Sequence, residues 1–274
     1  MIQTVHLFPI LDEKLIQVLQ SLVREDWERK TILPKWTIKD IAGHLLDGNI
    51  RSLSMLRDGY FGDKAENIKS YQDLLGYLNG LNADWVKAMK RVSPGILVDL
   101  LEATGKAYTD YIASLDLFAP AAISVAWAGE GVSANWFHVA REYTEKWHHQ
   151  QQIRLAVGQE NELYQHELYH PYLETSMRAL PHHYRDIASP DGTRIGFEIS
   201  GEGGGEWWLC RQAGQWVLEP QSGKSPDCLV SIPGDIAWRI FTKGIDREDA
   251  RSRVGISGDE TLGAHVLNML AVMA

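Results

Sequence analysis

Residues 134–158, ANWFHVAREYTEKWHHQQQIRLAVG, constrain this chain most. At 3.6 residues per turn the stretch predicts about six helical turns. It holds no Gly or Pro before Gly158, a residue suited to a C-cap. Placed around a helix, Trp136, Ala140, Tyr143, Trp147 and Arg154 share one stripe, and His138, Glu142, Glu145 and His149 share the opposite one. Such a helix is used on both sides: aromatics for packing, acids and imidazoles for something else.

A Glu and a His one turn apart can form a solvated surface pair, or can aim two lone pairs at one divalent ion. Glu145 and His149 meet the second condition, with a third ligand to come from another helix. On spacing alone His148, at i+3 from Glu145, competes with His149.

Five long amphipathic segments precede Gly158 and predict an up-and-down bundle. The first, 7–25, carries Leu11, Leu15, Val18, Leu19 and Leu22 at core spacing. A loop with Pro34 leads to a second that opens with a Thr37–Asp40 capping box and carries Ile38, Ile41, Ala42, Leu45 and Leu53. His44 lies off the centre of that stripe. A third spans 71–92, Pro94-Gly95 reads as a break, a fourth spans 96–115, and 121–132 reads as a loop into the organising helix.

Beyond Gly158 the pattern changes. Residues 163–180 predict one more helix, with His166 and His170 one turn apart beside Pro171. Period-two alternation then predicts strands at 193–200, 206–212, 215–219 and 227–232, joined at 201–205, 213–214 and 223–226. A helix after Pro233-Gly234, a charged stretch 246–253, a short piece 254–257 and a final helix 261–273 complete an α+β second half. The expected domains are 1–158 and 159–274.

Composition narrows the function. With 274 residues, 45% hydrophobic and 23% charged, the chain can bury a sizeable core. A net charge of −9 without a basic stripe speaks against nucleic acid and anionic membranes. The longest apolar run, 120–128, is too short to span a bilayer. Two cysteines, Cys210 and Cys228, in no CxxC spacing, and no signal peptide predict a cytoplasmic protein with buried thiols.

Trp36-Thr37-Ile38-Lys39-Asp40 followed by His44-Leu45-Leu46 resembles the first signature of the mycothiol-dependent maleylpyruvate isomerase family, within the DinB-like four-helix superfamily. Glu145-x-x-x-His149 resembles its second. The stretch from Ser231-Ile232-Pro233-Gly234-Asp235 through Gly255-Ile256-Ser257-Gly258-Asp259 looks like the sterol-carrier-like domain often fused to that bundle. The resemblance implies a divalent metal, zinc first and nickel as the alternative, held by His44, Glu145 and His149 with one position open. It implies a low-molecular-weight thiol that adds to a cis double bond and leaves after rotation, or is transferred to another electrophile. It places Glu142 and His138 as candidate catalytic residues on the ligand side. Many relatives have an Asp just after the ligand His, where this chain has Gln150, Gln151 and Gln152. The family's second domain supplies a substrate arginine, for which Arg239, Arg251 and Arg253 are available.

The partner is then a small molecule, and the chain acts as a monomer or homodimer. The competing expectation is a non-catalytic binding protein whose apolar pocket is lined by Trp127, Trp136, Trp147, Trp207 and Trp208, with the metal structural or absent.

Overall fold

The structure is a computed structural model that describes residues 1–62, 68–220 and 225–272. Five long helices come first: α1 (Leu7–Ser21), α2 (Ile38–Ser52), α3 (Tyr71–Met89), α4 (Pro94–Ala113) and α5 (Asn135–Val157). α1 buries Leu7, Phe8, Leu11, Leu15, Val18 and Leu19, the spacing expected of one face. α2 is closed at its start by the reciprocal Thr37–Asp40 box and continues into one π-helical turn, Leu53–Arg57. Pro94 does not break the chain between two helices. It is the first residue of α4, capped by Ser93, where a missing N–H costs nothing. α5 ends on Gly158 at φ 71°, the left-handed cap its sequence predicts.

α1, α4, α2 and α5 touch in a ring, each packed on two neighbours. α3 leans on α2 alone among these helices, with the Trp85 indole donating to the Gly43 carbonyl at 2.8 Å. None of its described residues is buried.

The helix expected at 163–180 is three pieces: a 3-10 turn Glu160–Leu163, α6 (His166–Met177) and α7 (Leu180–His183). Five strands follow, β1 (Arg194–Ile199), β2 (Gly205–Gln212), β3 (Gln215–Glu219), β4 (Cys228–Ile232) and β5 (Gly255–Gly258), in the order β3-β2-β1-β4-β5. β1 and β4 are parallel and the other pairs antiparallel. Part of the turn expected at 223–226 lies outside the described residues.

α8 (Gly234–Phe241) fits its prediction. The charged stretch 246–253 is a further helix, α9 (Arg247–Arg253), started by the Asp246 carboxylate. The piece after it is β5 rather than a bare connection. The expected last helix is shorter, α10 (Glu260–Ala264) plus a 3-10 turn His265–Asn268, and Met273 lies outside the described residues. The chain is thus an α+β protein of helical and sheet halves. Among the described residues no helix is long and apolar enough to cross a membrane. Cys210 and Cys228 are buried free thiols.

The largest core ignores the boundary at 158. It runs from Leu7, Phe8 and Leu11 through Tyr143 and Trp147 to Tyr169, Tyr172, Phe197 and Trp238. Trp147, fully buried, stacks on Tyr169 at 4.8 Å, meets Tyr172 at 4.4 Å and stands edge-on to Trp238 at 6.1 Å. With α6 on one side and the ring of helices on the other, α5 is buried nearly all round, including His138, His148 and His149. Its polar stripe therefore faces mostly protein, with Glu142 and Glu145 half-buried.

Candidate metal centre

Glu145, His148 and His149 project from one turn of α5, and one ligand atom from each lies within 4.8 Å of the others. Glu145 Oε2 is 3.8 Å from His149 Nε2 and 3.9 Å from His148 Nε2. Each imidazole is oriented through its other nitrogen. His148 Nδ1 meets the Thr144 carbonyl at 2.8 Å, and His149 Nδ1 meets Gln152 Oε1 at 3.0 Å. A carbonyl oxygen can only accept, so both Nδ1 atoms carry the proton and both Nε2 atoms present lone pairs toward Glu145.

His44 comes from α2, fixed by the Thr37 cap about two turns earlier. Its ring stands edge-on to His149 with centroids 4.7 Å apart, and its Nδ1 is buried with no hydrogen-bond partner. It adjoins the α5 trio without belonging to it. Trp36, just ahead of the cap, stacks parallel to His149 at 6.5 Å and stands edge-on to His44 at 5.0 Å. Two imidazoles thus stand beside one carboxylate, with His44 and Trp36 packed on the His149 side.

Burial dominates the electrostatics. It pushes the Glu145 carboxyl up, against Arg141, and with Glu142 adding to the rise, the pKa reaches about 7. Burial pushes His148 down to about 4, against its Thr144 bond, and holds His149 well below the usual range, helped by His148. His44 is lowered by burial, by His149 and by Arg51. These imidazoles are neutral and able to ligate.

His138 and Glu142 lie further up α5 and are tied together by Arg141. Arg141 Nη2 pairs with the Glu142 carboxylate and lies 3.2 Å from His138 Nδ1. Burial raises Glu142, but Arg141 and then His138 outweigh it and leave the carboxyl lowered. Burial lowers His138. Both residues are therefore engaged with Arg141, whose charge in turn reaches Glu145.

The loop before α2 carries Ile32 to the second half. A Cβ on Gly244 would come within 2.8 Å of Ile32 Cδ1, a side-chain end that could turn aside, so the pair marks a close approach of the two halves. The same position abuts Arg239, which lies over the Trp238 ring at 5.6 Å. Arg251 and Arg253 are engaged by Glu260 and Asp235. The second-half histidines behave differently. His166 and His170 stack at 4.7 Å, with His170 held by the Gly204 carbonyl and packed on Trp207.

Of the tryptophans expected to share an apolar pocket, Trp127 and Trp136 both pack on Phe137, and the other three lie elsewhere. Trp136 borders a cavity of about 230 Å³ at the N-terminus, Trp147 sits in the core, Trp207 lies on His170 and Trp208 lies over Gly196.

Residues 8–154, more than half of the chain, match the model of the mycothiol maleylpyruvate isomerase N-terminal domain. The chain belongs to this family. Two solved structures share the fold. One is a crystal structure of a mutant of the mycothiol-dependent maleylpyruvate isomerase, with 9% identity and a TM-score of 0.54 over 92% of this chain and 91% of that one. The other, of the mycothiol-dependent maleylpyruvate isomerase, has 10% identity and a TM-score of 0.51 over 86% of each chain. No curated protein matches. Within the matched residues, Glu145, His148 and His149 converge on one point, with His44 beside His149. Spacing had put His148 forward, and only its burial with Glu145 gives it weight.

Proposed function

We propose that this chain is a divalent-metal-dependent enzyme working with a low-molecular-weight thiol, as a cis–trans isomerase of the maleylpyruvate type or a thiol S-transferase. The observation that carries the reading is the meeting of a half-buried Glu145 with the buried His148 and His149 at one point in a member of this family. The residues suit a divalent cation: neutral imidazoles, a carboxylate with no basic side chain bonded to it, and a buried orphan nitrogen on His44. His44, Glu145 and His149 would hold it, zinc being favoured and nickel acceptable to the same donors. Bound there, a divalent cation deprotonates a thiol and so supplies a nucleophile at neutral pH.

The chain's own residues do the positioning. Gln152 keeps the proton on His149 Nδ1, and Trp36 covers the two histidines and keeps water from that side. Arg51 and Arg141 place positive charge beside Glu145, which favours an anionic substrate. Arg239 is the candidate for the substrate arginine expected of the second half, since its Cα and Cβ border Gly244, the glycine that Ile32 from the loop before α2 approaches. Glu142 and His138 act through Arg141, fixing its guanidinium near the site. The division at 158 is then one of roles: 1–158 brings the ligands, and the sterol-carrier-like 159–274 brings the arginine. A small-molecule substrate in the cytoplasm completes the reading.

The test is metal content by mass spectrometry for wild type, His149→Ala and Glu145→Ala, followed by assay of the zinc-loaded protein with maleylpyruvate and mycothiol. Bound metal lost in both variants, with thiol-dependent turnover, supports the reading. A wild type that neither carries metal nor takes up added zinc or nickel overturns it.

A further inference from the structure

We propose that His148 is a fourth donor to the same cation, so that the resting site is closed by the protein's own imidazole. The inference rests on the metal-dependent reading above and goes beyond its three ligands. His148 is 4% exposed, and its Nδ1 proton is committed to the Thr144 carbonyl. Its Nε2 lone pair therefore points into the site, where the nearest partner is Glu145 Oε2 at 3.9 Å, beyond hydrogen-bond reach. The His148 and His149 rings lie with centroids 4.0 Å apart and no hydrogen bond between them. Two neutral imidazoles pressed together, each with an unbonded Nε2 beside one carboxylate, aim two lone pairs at one point, which suits a group that accepts both. A divalent cation does so, and one seated near Glu145 is reached by i+3 and i+4 on the same helix turn.

The consequence is chemical. Two histidines and a glutamate leave a tetrahedral ion one open position, whereas three histidines and a glutamate fill it. With such an ion bound, a thiol would have to displace His148 to reach it, and the imidazole would shield it from other nucleophiles.

The experiment uses the full chain loaded with cobalt(II), whose visible spectrum reports coordination number and donor type, together with chelator competition for zinc. The proposal expects His148→Ala to retain a cobalt spectrum of altered shape. Its zinc affinity falls by about tenfold or more, since even outer partners of a ligand are worth that much. Its spectrum also responds to a small thiol at lower concentration than that of wild type. An unchanged spectrum, affinity and thiol response in His148→Ala overturns this proposal while leaving the three-ligand site standing. A wild type that binds no metal overturns both. If His148→Ala does not fold, His148→Gln, which keeps the volume and an N–H for the Thr144 carbonyl, is read in its place by the same criteria.

Discussion

His149 Nδ1 lies 3.0 Å from Oε1 of Gln152, one helical turn further along α5. An amide oxygen can only accept, so the bond fixes the tautomer and turns Nε2 toward Glu145. Gln152→Leu removes this anchor and is expected to weaken zinc binding by about 10–100-fold and, by stranding the buried His149 Nδ1–H, to cost about 1–3 kcal/mol of stability. Chelator competition and calorimetry measure the two. Equal zinc affinity would mean that packing alone orients the ring.

Glu145 gives a pH signature in the metal-free protein. Its pKa rises from 4.5 to about 7 on folding, so the folded state holds a proton that the unfolded state has lost. Its contribution to stability is full below the unfolded value and declines as pH rises toward 7. Glu145→Gln removes that decline. Without metal the variant should melt above wild type at about pH 8 and level with it at about pH 4. With zinc the order at high pH reverses, because the variant loses a ligand. Parallel metal-free profiles would contradict the elevated value.

Trp147→Ala strips the centre of the aromatic contact between α5, α6 and α8. Removing a fully buried indole costs about 3–5 kcal/mol, and its neighbours Tyr169 and Trp238 lose their shared partner. Urea unfolding followed by tryptophan fluorescence and by circular dichroism checks this. A loss under about 1 kcal/mol would show that the site collapses freely.

His183 and His265 clasp one another, each Nε2 donating to the other's backbone carbonyl, at 2.9 and 3.1 Å. Burial pushes His183 down to about 4, against its bond to the His265 carbonyl. As pH falls from 6.5, the unfolded chain takes up a proton that the folded one refuses, so stability is lost down to about 4. His183→Asn should flatten the acid limb of a urea-midpoint profile, and a limb as steep as that of wild type would rule the clasp out as its source.

The helix bearing the site was legible because Gly158 and the lack of internal breakers mark its length. β3 was legible because Ala213-Gly214 fixes its turn. The burial of its polar stripe was not, since nothing in 134–158 tells that α2 and α6 cover it. Residues 246–253 have no apolar stripe, so only Asp246 hinted at α9. Pro94 was misread because a proline that stops one helix and one that starts the next look alike in sequence. Glu145 and His149 were named from spacing and resemblance and His44 from resemblance alone; what Gln152 does, and how close His148 stands, needed coordinates.

The core that runs from Phe8 through Trp147 to Trp238 also bears on how this protein can be engineered. A fragment ending at Gly158 would carry its ligands but expose the indole face that Tyr169, Tyr172 and Trp238 cover. The matched region is therefore a poor portable module. Grafting it onto a different partner would require a replacement aromatic wall, and trading only the sheet half between relatives should yield insoluble hybrids unless that wall travels with it.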